Sequence, residues 1–561
     1  VTGQFGDQTG IFRGGFTMKA AEAVLDLQPW NDWPMDVIQR LVQKSLVRST
    51  HPSPGSIRFQ LYESIREYAE QKLRTPGAIE GTGEHAPTGP EAVRSTQLRH
   101  CILYSKMGKA DAVESDFWGA SPQVRQAYRL ETDNLAQAVT LGRTAPPDVH
   151  SLATVAWATI HRWYGPYLPA LEALYDTLSR ADLDEHSRLQ LLDSATSLHI
   201  EADQIEQAIE CAEECIALAS ALKNPSAEGR ALSRRTHRSP TEMSDNERLA
   251  VHEEALTLLR QGGDWRGETE TLLHIGNIYM SKEDLDAGMR LSNVVLEQSR
   301  MRGCLLLEAM ALRFRAVCYM DSGQMELAEE DLKRAMDHAR HIEKPMLFTE
   351  INVALGTLYK DLGRLAESVE RHQAGIRISR EAGNARSESI LMGNLALILQ
   401  LQGKDKEAQR MYEDTIRLDD IRGKTIIGLL AMGNLGDLLL SQSKLQESAA
   451  HLTAAIDGID PIRPSFAGAF RGSLAWVHAQ MGDFDTAREL LDQGEAQVRD
   501  VWAVELGRLL CRRAQVEHKA SSPQSASAAL AEALEIAARL GGNSDSDLGQ
   551  MITETQSLLH S

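Results

Sequence analysis

Three kinds of residue in this 561-residue chain have types and spacings that invite chemistry: Gly-Lys pairs, close cysteines and adjacent carboxylates. A phosphate cradle needs Gly-x-x-x-x-Gly-Lys-Ser/Thr, where backbone amides wrap the phosphates and the lysine reaches them. The pairs Gly108-Lys109, Gly403-Lys404 and Gly423-Lys424 lack the upstream glycine and the preceding strand. The six cysteines (Cys101, Cys211, Cys215, Cys304, Cys318 and Cys511) form no Cys-x-x-Cys pair. Cys211 and Cys215 share a helix face, but no His pair completes a metal set, so they read as packing thiols. The 17 His lack ligand spacing, and no Gly-x-Ser-x-Gly or His-Glu-x-x-His occurs. Glu329-Glu330 and Asp419-Asp420 read as solvated helix faces. We therefore expect no catalytic residue, no metal and no cofactor.

Lys+Arg number 59 against 79 Asp+Glu, a net charge of −20 that repels phosphate backbones and anionic lipid alike. A hydrophobic content of 42% suffices for several cores. No apolar run reaches the roughly 18 to 20 residues of a membrane helix, and the amino terminus has no basic stretch leading into an apolar one. A reduced cytoplasm is the expected location. Val1 opens directly into patterned sequence, which suggests the carboxy-terminal piece of a longer protein or a recoded start.

The elements that would position any site announce themselves by repetition. A small residue recurs at Gly276, Ala316, Gly356, Ala396, Gly436 and Ala475, in steps of 40, 40, 40, 40 and 39. Seven residues after each lies a turn position: Glu283, Gly323, Gly363, Gly403, Ser443 and Gly482. Twelve after come Gly288, Ala328, Ser368, Ala408, Ser448 and Ala487; nineteen after come Val295, Ala335, Gly375, Thr415, Ala455 and Gly494. Two helices approach to backbone contact only where side chains are small, and a turn residue between them closes a hairpin. Tyr279, Tyr319 and Tyr359 would fill space between hairpins. The period extends weakly to Thr196 (with Ala208 and Cys215), Thr236 (with Ala255) and Ala514 (with Ala526 and Ala533), for about ten hairpins. Arg315 stands where Ile275, Leu355, Leu395 and Leu435 stand elsewhere, and Arg234 to Asn246 is polar enough to predict a loose hairpin. Pro461 and Pro464 mark a junction that no helix continues through.

These offsets resemble the tetratricopeptide consensus, in the longer version of about 40 residues found in kinesin light chain and in bacterial peptide-sensing regulators. The resemblance is specific over 268 to 500 and implies an all-α fold, a right-handed α-solenoid whose concave face is lined by the first helix of each pair. It places positions two before, one after and four after the small residue on that groove: His274, Asn277, Phe314, Met320, Thr357, Lys360, Asn394, Gln400, Asn434 and Asp437 among them. In the resembling peptide-binding proteins an Asn two before the small residue clamps a ligand backbone. Here Asn394 and Asn434 occupy that slot, with hydrogen bonds between neighbouring helices as the alternative role.

Residues 9 to 73 lack the period. Helices around Ala20-Ala21 and Val37-Leu46, a turn at Pro52-Ser53-Pro54-Gly55, an extended Ile57 to Leu61 and a helix from Glu63 to Leu73 give a winged-helix order. Gly14-Gly15-Phe16-Thr17, Leu41 to Val47 and Phe59 to Ala69 resemble the winged-helix segment of bacterial STAND regulators, and Leu130-Glu131-Thr132-Asp133-Asn134-Leu135 resembles their lead-in to the repeats. That resemblance implies an ATPase upstream of Val1 or on a separate chain. Nine basic and eight acidic residues in 1–75 leave no electrostatic footprint for DNA. The expected domains are therefore 1–75 (winged helix), 76–97 (Gly/Pro-rich linker allowing more than one relative position), 98–150 (helical lead-in), 151–545 (repeats) and 546–561 (terminal helix or tail). Two functions fit: a non-catalytic sensor in signal transduction and transcription regulation that binds a protein, peptide or small ligand in its groove, or a free-standing scaffold. Nucleic acid and membrane are not expected partners.

Overall fold

A computed structural model describes residues 8–27, 33–52, 56–76, 88–109, 122–237, 243–282, 284–421, 425–499, 502–539 and 547–560. Glu283, Gly423-Lys424, the Ser53-Pro54-Gly55 turn and 77–87 of the expected linker lie outside them. The fold is all-α apart from one short strand pair. Among the described residues no helix is long and apolar enough to cross a membrane.

The chain opens with α1 (Met18–Val24) and α2 (Pro34–Gln43), then β1 (Val47–Thr50), β2 (Arg58–Leu61) and α3 (Glu63–Arg74). Thr17 starts α1 by accepting the Ala20 amide, and Pro34 starts α2 with a residue whose missing N–H no helix needs there. The strands pair antiparallel, Val47 opposite Leu61 and Thr50 opposite Arg58. Phe16 bridges to Phe59 through two backbone bonds of 2.8 Å, which brings Phe12, Phe16 and Phe59 together as a ring cluster.

Then follow α4 (Pro90–Ser105), α5 (Pro122–Arg129) and α6 (Thr132–Gly142). Helix α4 begins inside the expected linker, because Pro90 supplies a ready first position and Ala92, Thr96, His100 and Cys101 form a buried stripe. The Leu130 to Leu135 segment fastens these helices to the amino-terminal elements. Buried Arg58 donates to the Glu131 carboxylate, to Leu130 O at 2.7 Å and to Gly15 O at 2.9 Å. Tyr104 Oη donates to Glu131 Oε2 at 2.9 Å, and Asn134 both accepts the Arg13 amide and donates to Gly15 O.

From Pro147 to Leu559 the chain is helix after helix, most of them 15 to 18 residues long. Their corners repeat every 20 residues: Gly303, Gly323, Glu343, Gly363, Gly383 and Gly403 all have φ between 57° and 76°. Asp203, Lys223, Gly263, Ser443, Gly482 and Ser521 continue the series in the same left-handed region. At Gly323 the amide bonds Met320 O and the next amide bonds Tyr319 O, at 3.0 and 2.8 Å; Ser443 makes the same pair to Leu440 and Leu439, at 2.9 and 3.0 Å.

The periodic small residues are buried, and so are their partners twelve and nineteen positions on, from Gly288 and Val295 through Ala487 and Gly494. Ser368 Oγ donates to Gly356 O at 2.6 Å and Ser448 Oγ to Gly436 O at 2.8 Å, so two serines also tie the hairpins they pack. A Cβ on Gly356 would lie 2.0 Å from the His372 ring, and one on Gly436 would lie 2.7 Å from Leu452, which explains the absence of a side chain at both. Arg315 fits its apolar slot by turning polar atoms onto Asp331, at 2.7 and 2.9 Å, while its guanidinium covers the Tyr319 ring.

The chain forms two compact units. Unit 1 is Val1–Ala354 with Ile378–Asn384, and unit 2 is Leu355–Arg377 with Ala385–Ser561. Unit 1 closes on itself: Lys344 Nζ reaches Glu201 at 2.9 Å, Asn384 donates to Glu201 O at 2.8 Å, Trp163 Nε1 to Ile342 O at 3.4 Å and Arg125 to His341 O at 2.7 Å. In unit 2, Leu395, Leu399, Tyr412, Leu435 and Leu438 form one core cluster, and Leu452, Ile456, Phe470 and Leu474 the next.

Candidate functional site

The groove residues named from sequence fall in both units. Unit 1 holds His274, Asn277, Phe314 and Met320; unit 2 holds Thr357, Lys360, Asn394, Gln400, Asn434 and Asp437. Asn277 is exposed, and Met320 and Thr357 are half-buried. His274 meets Ser233 Oγ through Nδ1 at 3.2 Å and the His252 ring at 5.7 Å. Phe314 is 3% exposed, with its ring against Gly276. Lys360 pairs with Asp361 at 2.9 Å, and Gln400 accepts the Tyr412 hydroxyl at 3.3 Å. Burial pushes the Asp437 carboxyl up, against the opposing pull of Ser473, Arg512 and Arg508.

Asn394 and Asn434 differ from the other occupants of their slot. Both are half-buried on successive first helices, Ala385–Leu401 and Ile426–Ser441. Among the described residues neither amide makes a hydrogen bond, and the helix-bridging bond that would give them a structural role is not formed. Each amide has two donors and an acceptor to offer.

Unit 1 contains a second polar place, which the sequence reading did not find. A cavity of about 280 Å³ opens between helices Pro147–Tyr164, Glu185–Glu201, Pro225–His237 and Trp265–Ser281 and the Lys344 corner. Its charged lining is Arg162, Arg230, Arg234, Arg266 and Lys344 with Asp193, Asp264 and Glu270. Asp193 takes Arg234 at 2.6 Å and Arg230 at 3.5 Å; Arg230 also bonds Asp264 at 2.6 Å. Burial alone would raise the Asp193 carboxyl, but Arg234, Arg230 and Arg162 outweigh it and hold it down at about 2. A smaller cavity of about 130 Å³ adjoins it, sharing Arg162, Arg234, Glu270 and Lys344 and adding His274. The signal was available: Ser194 and Arg234 stand two before Thr196 and Thr236, in the same slot as His274, Asn394 and Asn434.

No cysteine lines the cavity. All six cysteines are free and buried, and burial raises the Cys101 and Cys215 thiols to about 12. Among the described residues no three His, Cys, Asp or Glu side chains are grouped to hold a metal ion.

Residues 348–420 match a tetratricopeptide repeat family model. No curated protein matches the sequence. Solved structures with similarity include a STAND (signal transduction ATPase with numerous domains) protein with a tetratricopeptide repeat sensor from Pyrococcus horikoshii, 16% identical with a TM-score of 0.37. That alignment covers 74% of this chain and 62% of that one, so the chain spans less than two thirds of the STAND protein's length. A Rap protein complexed with competence and sporulation factor is 12% identical with a TM-score of 0.48, covering 63% of this chain and 98% of its own. NprR in complex with its cognate peptide NprX is 12% identical at 0.44, with 64% and 99% covered. The fold is an all-α helical-hairpin repeat, and the tetratricopeptide family match covers residues 348–420 of it.

Proposed function

We propose that the chain is a non-catalytic binding and sensing module that holds an extended peptide or protein segment on the first helices of its repeats. The observation that carries this is the pair Asn394 and Asn434: two amides one repeat apart, half-buried, with no hydrogen bond to any described residue. An extended backbone presents a donor and an acceptor at each residue and satisfies such amides in register. In this reading the amino-terminal helices and strand pair are a winged helix, and the whole serves a STAND-type regulator whose ATPase is supplied upstream or by a separate chain. The Glu131–Asn134 junction supports coupling between them, because it fastens the amino-terminal elements to the helices that lead into the repeats.

The test is a selection from a random peptide library on the full chain, followed by titration of the selected peptide. Asn394→Ala/Asn434→Ala leaves the packing at Ala396 and Gly436 intact. It is expected to melt like the parent and lose about 1 to 3 kcal/mol of affinity, the usual consequence of leaving a buried partner unpaired. Unchanged affinity, or a loss seen only in melting temperature, removes these residues from the site. The chain alone is expected to hydrolyse no ATP above background.

A further inference from the structure

Asn434 does not end its slot. Two residues before the small positions Ala475 and Ala514 come Ser473 and Arg512, so the line of Asn394 and Asn434 continues as a hydroxyl and then a guanidinium on the first helices Pro464–Met481 and Ala503–Lys519. Asp437 lies one turn beyond Asn434 on Ile426–Ser441. Asp437 and Arg512 are both half-buried, and each attracts the other, yet they form no ion pair. Apart from the Ser473 side chain no described residue bonds the Asp437 carboxyl, and its Oδ1 is shielded from solvent without a hydrogen-bond partner. Arg512 bonds the neutral Gln515, Nη1 donating to Oε1 at 2.9 Å, and its Nε is likewise shielded without a partner. Of the charges around them, Arg508 is held by Glu505 at 2.8 Å, and Glu554 attracts Arg512 without bonding it. Burial is the largest influence on both side chains and works against each charge, raising the Asp437 carboxyl and lowering the Arg512 guanidinium.

We propose that this stretch of unit 2 reads charge on the bound peptide, pairing a basic side chain with Asp437 and an acidic one with Arg512. The inference rests on the peptide-binding reading above and adds the peptide's composition to it. A half-buried charge without a counter-ion is unfavourable in the free chain, and a ligand that brings the counter-ion relieves it with a charge-assisted bond. A ligand with a single charge would answer one of the two side chains and be repelled by the other. A ligand carrying both signs answers both and adds no net charge. The order follows from the elements: the cation lies toward Asn434, and the anion toward Ala503–Lys519. Neighbouring helices pack about 8 to 10 Å apart and an extended chain advances about 3.3 Å per residue, so two hairpin steps place the two charges within about six residues of each other on the peptide.

A random library of peptides with acetylated and amidated ends, which carry charge only on their side chains, is selected on the full chain, and the strongest binder is titrated by fluorescence anisotropy. Selected peptides are expected to hold Lys or Arg within about six positions of Asp or Glu. Asp437→Asn is expected to weaken the selected peptide about fivefold or more, and to leave unchanged the affinity of a version with Gln in place of the basic residue. Arg512→Gln is expected to do the same, its silent partner being the version with Gln in place of the acidic residue. Both variants are expected to melt like the parent, because neither side chain holds an ion pair in the free chain. Should one variant fail to fold, the other decides. Binders without the charge pair, or a loss that persists toward the Gln-substituted peptide, overturn the proposal; if such binders still lose affinity to Asn394→Ala/Asn434→Ala, the peptide site itself stands. No enrichment on the parent chain overturns both readings.

Discussion

At the scale of single residues, the consequential choices are polar groups placed where apolar ones would pack more easily. His252 is an example: it is fully buried, its ring lies 5.7 Å from that of His274, and Thr236 Oγ1 lies 3.2 Å from its Nε2. Burial, with Arg248 nearby, lowers its pKa from 6.5 to about 4. The unfolded chain therefore binds the proton more readily than the folded one, so stability is intact above about pH 6.5 and is lost as pH falls toward 4. The loss amounts to about 3 kcal/mol at most. His252→Phe keeps the ring and leaves the Thr236 hydroxyl its bonds to Leu232 O and Ser233 O. Denaturant melts between pH 7 and 4 should show a shallower fall for the variant; parallel curves would exclude His252 as the titrating group. Arg234 teaches a related lesson. It belongs to the polar stretch Arg234 to Asn246, of which 238–242 lie outside the described residues, and it pairs with Asp193 at 2.6 Å; charge alone in a sequence does not reveal whether its counter-charge is present.

At the scale of the helix and its corner, the 20-residue spacing of left-handed residues explains both what was legible and what was not. The contacts between paired helices demand small side chains, so Gly276 through Ala475 stand out in the chain. Corners make a weaker demand. Gly303 and Gly383 meet it with glycine, but Asp203, Lys223, Glu343 and Ser521 adopt the same backbone with ordinary residues and are silent in sequence, while Ser443 was legible only from its place in the period. Ser443, at φ 61°, is the accessible test. Ser443→Gly removes a strain of about 1 kcal/mol and is expected to raise the denaturation midpoint, whereas Gly323→Val, at φ 75°, is expected to lower it by at least as much. A Ser443→Gly variant less stable than the parent would show that the hydroxyl, not the backbone, matters there.

At the scale of the molecule, the repeat slot points to Ser194 and Arg234, but the Lys344 corner of the cavity escapes a reading by repeats because it depends on chain closure. Lys344 and Asn384 meet Glu201 across 143 and 183 residues, and no local pattern reports such a contact. Repeat stacks hold their stability locally, each hairpin contacting its neighbours. Leu435, 2% exposed in a core shared with Leu395 and Tyr412, tests this in unit 2. Leu435→Ala is expected to cost about 2 to 5 kcal/mol and to speed hydrogen exchange in 390–440, while protection in Pro90–Ser105 stays unchanged. A uniform rise in exchange along the chain would mean that the protein unfolds as one cooperative body.

The even beat of corners also fixes how this protein can change length. A block of 40 residues, such as the one between Gly363 and Gly403, carries two helices and two corners and returns the chain to the same phase. A block of 20 would swap the parts of first and second helix for everything downstream, and with them the slots of Asn394 and Asn434. Lineages built on such a chain can gain or lose binding surface only in whole hairpins, much as a text keeps its sense only when letters are lost in multiples of its reading frame.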